Sequence, residues 1–157
     1  MLSNTQHVQG SIQGSLFKTD VHELYAKARN WNDLSHGHIS LARHLLEEGL
    51  CKASLIVAHL AVKAKLKQIY LQSEGVFPPE DICYEDLIDR TRSFAEIDLE
   101  TELFLNTLHY IAETDNAAFL PQIENGHGEK IFERILSVLK SLDQYAISSS
   151  VKIRLEN

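Results

Sequence analysis

The sequence contains few of the residues that break helices or cross-link a chain. Its 157 residues include three prolines, seven glycines and two cysteines. So few turn-forming residues favour long helices over a β fold with many turns. Cys51 and Cys83 do not have the spacing of a redox or zinc motif, so we expect two buried free thiols rather than a disulfide.

The sequence also lacks a long apolar run and an excess of basic residues. No stretch of about 18 apolar residues occurs, and the first residues lack the basic and apolar regions of a signal peptide. We therefore expect no membrane association and a cytoplasmic location. The net charge of −7 argues against broad, non-specific nucleic-acid binding.

Residues 51–74 organise the predicted fold. Between Ser54 and Val62 the only polar residues are Ser54 and His59. A helix in this segment is apolar on nearly every side and must be surrounded by other parts of the protein. The predicted fold class is therefore all-α, an antiparallel bundle of four to five helices around a buried central helix formed by residues 51–74.

Helical patterns also occur on both sides of this central segment. Apolar residues recur every three or four positions after Asp20 and predict one long helix that ends at Gly49, or two helices joined near residues 31–37. A short third helix is predicted from Tyr84. Asp98 is a good N-cap for a fourth helix. The residues predicted to form the buried face of this fourth helix are Leu99, Leu103, Leu108, Ile111 and Ala112.

The segment 114–128 is predicted to be the longest internal loop, and a last helix is predicted to begin near Glu129. The predicted domain organisation is a mobile N-terminal tail at 1–18, a helical bundle domain at 19–148 and a frayed C-terminal tail at 149–157.

Four basic side chains form a stripe on the central helix. Lys52, His59, Lys63 and Lys67 are separated by seven, four and four residues, which places them on one narrow helical face. Because Lys63 and Lys67 repel each other at this spacing, they are candidate ligands for a nucleotide phosphate or an RNA backbone. The simpler interpretation is solvent exposure or an acidic neighbour. The candidate neighbours are Glu47, Glu48, Glu100 and Glu102.

The predicted loop and its flanks offer a second group of candidate binding residues. They are Glu113, Asp115, Asn116, Glu124 and His127. Two carboxylates two residues apart can transfer protons or bind a cation, whereas polar residues beside a helix end more often act as caps and solvated turns.

No metal, cofactor or catalytic residue is predicted. On a helix His36 and His38 point about 160° apart, and neither they nor His44 have a carboxylate at the spacing of a zinc-protease helix. A glycine-rich phosphate loop and a dinucleotide fingerprint are both missing, and no serine or cysteine has a suitable base beside it in the sequence.

Three stretches resemble the HEPN family of nucleotide-binding helical domains. They are a long helix that contains Trp31, the run LARHLLEEGLCKAS at 41–54 and the run VKAKLKQIYLQSEG at 62–75. The positions that match the family pattern are Ala42, Leu45, Leu46 and Gly49, followed by Leu66, Lys67 and Gly75. His109-Tyr110-Ile111 is similar to the fourth helix of the subgroup that includes the C-terminal domain of kanamycin nucleotidyltransferase. The resemblance spans residues 31–145.

This resemblance implies a non-catalytic, nucleotide- or RNA-associated binding protein. It further implies a homodimer that acts as the partner of a nucleotidyltransferase, in a toxin–antitoxin or substrate-binding system. Catalytic HEPN members look like metal-independent ribonucleases with an arginine followed four to six residues later by a histidine near the end of the fourth helix. Thr114 stands where that arginine would be, and Lys63 replaces the usual glutamate of the second run.

Two alternatives to this function remain. A ribonuclease that uses an atypical Arg–His pair across the dimer is one alternative. The only pair in the sequence at the spacing of the family is Arg29 and His36, which have six residues between them and lie in the first helical segment. A regulatory or stress adaptor without a small ligand is the other.

Overall fold

The computed structural model describes the backbone of residues 6–113 and 125–156, and the side chains of residues 22–113 and 126–146. Within these ranges all regular secondary structure is α-helical. The five helices are α1 (Gln6–Glu47), α2 (Cys51–Glu74), α3 (Tyr84–Ala95), α4 (Leu99–Glu113) and α5 (Asn125–Glu156). None of the helices in the described ranges has the length and apolarity needed to cross a membrane. The predicted all-helical bundle is confirmed.

The central helix α2 is enclosed by the other four helices. It contacts α1, α3, α4 and α5, and residues along its whole length are buried, from Leu55 through Val62 to Leu71. Gly49 and Gly75 have left-handed backbones with φ of 80° and 70° and stand just outside its two ends. The N–H of Gly75 donates to the carbonyl of Leu71 at 3.0 Å, which closes the last turn. The prediction that residues 51–74 form one continuous buried helix is confirmed.

Helices α1 and α2 form an antiparallel hairpin. The Ser54 hydroxyl donates to the Ala42 carbonyl at 2.7 Å, and the Ser35 hydroxyl donates to the Ala61 carbonyl at 2.9 Å. Residue numbers therefore decrease along α1 in the direction in which they increase along α2, so the two helices are antiparallel. Both bonds are buried, and each contributes about 1 kcal/mol to stability. Because α1 continues through Gly37, the segment 20–49 contains one helix rather than two.

Helix α4 runs in the same direction as α2. His59 contacts His109 and, four residues further along both helices, Lys63 contacts Glu113. Such a constant offset is possible only between parallel neighbours that keep the same faces together. The antiparallel arrangement predicted from the sequence therefore holds for α1 against α2 but not for α4 against α2.

Helix α5 is also parallel to α2. A Cβ built on Gly128 in the first turns of α5 would lie 2.9 Å from the Cys51 Sγ atom, so the two backbones are close at this point. Further along, Asp143 of α5 pairs with Lys65 of α2 at 2.6 Å. The two helices advance together over about the same number of residues between these contacts.

The buried face of α4 differs from its prediction. Leu108 is buried, as predicted, but Leu99 and Leu103 are 71% and 58% exposed, and the buried Leu105 was not predicted. The sequence pattern did not distinguish these two faces, because α4 carries leucines on both. The predicted N-cap is confirmed, since the Asp98 carboxylate accepts a hydrogen bond from the Thr101 N–H at 2.7 Å.

The chain ends and the loop also differ from the predicted boundaries. Helix α1 already begins at Gln6, inside the predicted tail at 1–18, and α5 runs to Glu156, through most of the predicted tail at 149–157. The mobility of both tails stays a prediction. Helix α5 begins at Asn125 instead of near Glu129, and residues 114–124 of the predicted loop lie outside the described residues.

No disulfide joins Cys51 and Cys83. Cys51 is buried, as predicted, but Cys83 is exposed. The Cys83 Sγ accepts a hydrogen bond from the Asp86 N–H at 3.4 Å and so acts as the N-cap of α3. The prediction of two buried thiols is therefore wrong for Cys83.

The close approach of α5 to α2 predicts opposite effects of the same substitution at two neighbouring glycines. Gly128→Ala forces its new methyl group against Cys51, and such overpacking costs about 1–3 kcal/mol of unfolding free energy. Gly126→Ala meets nothing within 4 Å and should gain up to about 1 kcal/mol from helix propensity. Urea unfolding of both variants checks this. Equal effects at the two positions would contradict the close approach.

Candidate functional site

A polar cluster, here called the histidine seam, lies between α2 and α4. It consists of His59, Lys63, Tyr84, His109 and Glu113. The His59 Nε2 and His109 Nδ1 atoms are 3.0 Å apart, and the His109 Nε2 atom is 3.7 Å from a Glu113 carboxylate oxygen, Oε2. The Lys63 ammonium donates to the other oxygen, Oε1, at 3.1 Å. His59 is buried, whereas His109 and Glu113 are partly exposed.

Tyr84 at the start of α3 supports the histidine seam. Its ring stacks on His109 with centroids 4.2 Å apart and an angle of 8° between the ring planes. The Tyr84 hydroxyl is buried and makes no hydrogen bond to any part of the chain that the structure describes. Burial raises the pKa of this hydroxyl, and the negative charge of Glu113 raises it further. Tyr84 is therefore neutral at physiological pH and fixes the plane of the His109 ring.

The charges in the histidine seam follow from burial and proximity. Burial lowers the pKa of His59 to about 4, with smaller contributions from His109 and Lys63. The hydrogen bond from Lys63 lowers the pKa of Glu113. At neutral pH His59 is thus an uncharged imidazole beside a carboxylate and an ammonium.

A cleft with a volume of about 420 Å³ opens between α1, α2 and α5. We call it the α1/α5 cleft. Its lining combines a guanidinium, an imidazole, three amides, a carboxylate and an aromatic ring. The lining residues are Tyr25, Ala28, Arg29, Asn32, His36, Gln68, Gln72, Asp143 and Ala146. The volume lies within the range of about 300–1,000 Å³ that is typical of small-molecule sites.

A buried ammonium group lies at the base of this cleft. Lys65 is only 1% exposed, and its Nζ contacts three oxygens: Asn32 Oδ1 at 2.7 Å, Gln68 Oε1 at 3.0 Å and Asp143 Oδ1 at 2.6 Å. An ammonium has three N–H donors, so these contacts satisfy it completely. Because the amide oxygens face Lys65, the amino groups of Asn32 and Gln68 are left as donors for a ligand.

The structure brings together only some of the residues predicted as a binding stripe. His59 and Lys63 lie in the histidine seam, and burial lowers the pKa of Lys67, as do the positive charges of Lys63 and Lys27. Lys52 is exposed in the first turn of α2. It is eleven residues from Lys63, so the four predicted residues are too spread out along α2 to surround one phosphate.

The candidate binding residues of the predicted loop and its flanks do not form one site either. Glu113 is the last residue of α4 and belongs to the histidine seam, while His127 lies in the first turn of α5 rather than in a loop. Near His127, Gly128 packs on Cys51, about 12 Å along α2 from His59. Asp115, Asn116 and Glu124 lie outside the described residues.

An acidic neighbour of the stripe exists, but it is none of the four acids considered. Glu113 pairs with Lys63. Glu100 instead pairs with Arg134 and Glu102 with Arg92, both at 3.0 Å. Helix α4 presents its C-terminal end to Lys63 because it is parallel to α2, which the sequence did not reveal.

Sequence reasoning missed two of the main polar residues, His109 and Lys65. The signal for His109 was its spacing of four residues from Glu113, which places both side chains on one face of a helix. The signal for Lys65 was its position three residues after Val62 and four before Ile69, on the same face as buried apolar residues. Both signals were available, but only the packing of the helices shows what they contact.

No protein-family model matches this chain, and neither a curated protein nor a solved structure is significantly similar to it. The candidate sites therefore rest on their own geometry.

The Lys65 network predicts an unequal cost for losing two ion pairs. Among the residues that the structure describes, Asp143 supplies the one carboxylate in contact with this buried ammonium, so Asp143→Asn should lower the unfolding free energy by about 2–4 kcal/mol. Glu100→Gln breaks an exposed pair with Arg134 and should cost less than about 1 kcal/mol. Urea unfolding at neutral pH measures both. A cost for Asp143→Asn as small as that for Glu100→Gln would contradict the structural importance of the Lys65 network.

His59 predicts a dependence of stability on pH. The unfolded chain binds a proton at this residue near pH 6.5, whereas the folded chain binds it only near pH 4. As the pH falls through this window, the unfolded state takes up a proton that the folded state does not, so the unfolding free energy decreases by up to about 1.4 kcal/mol per pH unit.

Chemical unfolding at several pH values between 4 and 7 checks this expectation. His59→Gln should flatten the dependence, while His44→Gln, at an exposed position, should leave it unchanged. The same slope in the parent and in His59→Gln would show that other groups cause the decrease.

Proposed function

We propose that this chain is a non-catalytic binding protein for a nucleotide, and that the α1/α5 cleft is its ligand site. One observation carries the proposal: a guanidinium and two amides with oriented amino groups line a single cleft above a fully satisfied buried ammonium. Polar groups held in place by buried contacts lose little entropy when a ligand binds, so this arrangement is preorganised for recognition.

The lining offers a suitable contact for each part of a nucleotide. Tyr25 is 48% exposed and can stack on a base. The amino groups of Asn32 and Gln68 can donate to base acceptors. Arg29 can bind a phosphate through two parallel hydrogen bonds, a geometry that suits a guanidinium.

The charge of the cleft favours an anion. Lys65 and Asp143 neutralise each other, which leaves the positive charge of Arg29 and the imidazole of His36 among the lining groups. The whole chain, in contrast, carries a net charge of −7. A small anion can reach a local positive charge, whereas an extended polyanion meets the repulsion of the whole surface. This contrast supports a nucleotide over a long RNA as the ligand.

The HEPN resemblance extends the proposal to partners. A homodimer, and a nucleotidyltransferase as the second protein of a two-component system, are the partners that the family pattern implies. A nucleotide-binding cleft fits such a partnership, because both proteins would then handle the same class of ligand. An adaptor without a small ligand is the outcome if no nucleotide binds.

One observation favours a second candidate, a ribonuclease. Arg29 and His36, the atypical pair, line the same cleft. A guanidinium can stabilise the charge that develops on a phosphate, and an imidazole can transfer a proton, so the two together could cleave RNA. The binding function remains the main proposal, because the Arg–His motif that the family uses is missing from its expected position in the fourth helix.

Isothermal titration with AMP, ADP and ATP tests the proposed site. One nucleotide should bind per chain, and Arg29→Gln should weaken binding by about tenfold or more, since it removes a charged hydrogen bond. Asn32→Ala should weaken it as well, and because this change also removes an oxygen that binds Lys65, circular dichroism must show that the variant is folded. Lys52→Gln is the matched control, because this basic residue of the predicted stripe is exposed outside the cleft.

Two results would overturn this proposal. If none of the nucleotides binds, the adaptor function gains support. If binding is insensitive to Arg29→Gln but lost in Lys52→Gln or Lys67→Gln, the stripe on α2 is the ligand site instead. Cleavage of RNA that stops in both Arg29→Gln and His36→Ala would replace the binding function with the ribonuclease.

A further inference from the structure

The histidine seam holds three metal-binding groups on two adjacent helices. A ring nitrogen from each of His59 and His109 and a carboxylate oxygen of Glu113 lie within 4.8 Å of one another. His109 and Glu113 share one face of α4 because they are four residues apart. The parallel packing of α4 on α2 then brings His59 against them. All three groups stand on helical backbone, which holds them more precisely than a loop would.

We propose that His59, His109 and Glu113 bind a divalent transition-metal ion of the zinc class. Zinc binds imidazole nitrogens and carboxylate oxygens at about 2.0–2.2 Å, so neighbouring ligand atoms in a tetrahedral site are about 3.3–3.5 Å apart. The His59 Nε2 atom is 3.0 Å from His109 Nδ1, whereas the 3.7 Å separation from Glu113 Oε2 is measured at the other ring nitrogen of His109, Nε2. Only one of these two nitrogens can bind the ion, and one ligand atom from each of the three residues lies within 4.8 Å of the other two. Binding therefore requires the Glu113 carboxylate, whose side chain is 48% exposed, to move toward the His109 nitrogen that binds the ion.

The residues around the three ligands support this function. Tyr84 stacks on His109 and limits the orientations of its ring. Lys63 holds Oε1 of Glu113 at 3.1 Å, which leaves Oε2 on the side of His109. Hydrogen-bonded carboxylates of this kind are common around protein metal sites, where they fix the ligand in place. The negative charge of Glu113 also offsets the repulsion between Lys63 and a bound cation.

The ligand set indicates which ions fit. Two imidazoles favour zinc and its neighbours over Mg²⁺ and Ca²⁺, which prefer oxygen ligands. Three protein ligands leave one position of a tetrahedral ion for water. The side chains of His109 and Glu113 are 28% and 48% exposed, so the ion can enter from solvent without unfolding of the bundle.

The proposed metal site does not depend on the proposed nucleotide site, and each can be tested without the other. His59 and Lys63 lie on a different face of α2 from Lys65 and Gln68, because these positions are separated by about 120–180° around the helix. A metal titration therefore reports on the histidine seam even if the α1/α5 cleft binds nothing.

Titration of the full chain, without a histidine tag, with ZnCl₂ tests the proposal. One zinc ion should bind per chain. His109→Gln and Glu113→Gln replace partly exposed ligands and should fold normally while weakening zinc binding, by about 10-fold or more for His109. The control variant His22→Ala/His44→Ala removes two exposed histidines and should bind zinc like the parent. Visible absorption of the Co²⁺-loaded protein should show the strong bands of a four-coordinate ion and lose them in His109→Gln.

Three outcomes would overturn the proposal. The first is the absence of stoichiometric zinc binding to the parent chain. The second is binding of unchanged affinity in His109→Gln, which would place the ion on other residues. The third is loss of binding in His22→Ala/His44→Ala, which would identify an adventitious surface site. Circular dichroism of each variant separates a lost ligand from a lost fold.

Discussion

The buried ammonium of Lys65 is the interaction on which the arrangement of three helices depends. Its three donors bind oxygens from α1, α2 and α5, namely those of Asn32, Gln68 and Asp143. A charge in this position is costly unless all its hydrogen bonds are made and an opposite charge is in contact. The three helices must therefore come together in one orientation. Apolar packing alone would allow neighbouring arrangements of similar energy, whereas this contact is satisfied in only one.

The hydrogen bonds of Lys65 also determine which polar groups line the α1/α5 cleft. Because Lys65 binds the amide oxygens of Asn32 and Gln68, their amino groups are left as donors to the α1/α5 cleft. On the other side of α2, the parallel helix α4 aligns a second set of polar residues at four-residue steps. The central helix is thus apolar in most of its contacts but carries a distinct polar row on each of two opposite faces, and each row meets a different partner helix.

The sequence predicted the individual helices of this fold better than it predicted their directions relative to one another. The apolar run after Ser54 identified the central helix, and Gly49, Gly75 and Asp98 marked helix ends through local backbone and capping preferences. These features act within a few residues, so they are readable from the sequence. The direction of α4 and α5 relative to α2 depends on which distant faces pack together, and the leucines on both sides of α4 fit either choice.

The candidate sites show the same division. His59, Lys63 and Glu113 were each identified as candidates, but in two separate groups, because their proximity arises from the packing of α4 on α2. The burial of Lys65 could be inferred from the helical face it shares with Val62 and Ile69, whereas its three partners lie on other segments or adopt side-chain orientations set by packing. Spacing within one helix predicts which residues share a face, and tertiary contacts decide what that face binds.

Because Gly128 has no side chain, α5 can approach α2 closely there, and this contact affects the position of a residue far along α5. The contact of Gly128 with Cys51 sets how far α5 can slide along α2, and Asp143 follows fifteen residues later, about 22 Å away. A slip of one residue would rotate Asp143 by about 100° and carry its carboxylate away from Lys65. The axial register at one end of the bundle therefore controls the electrostatic balance of the cleft at the other.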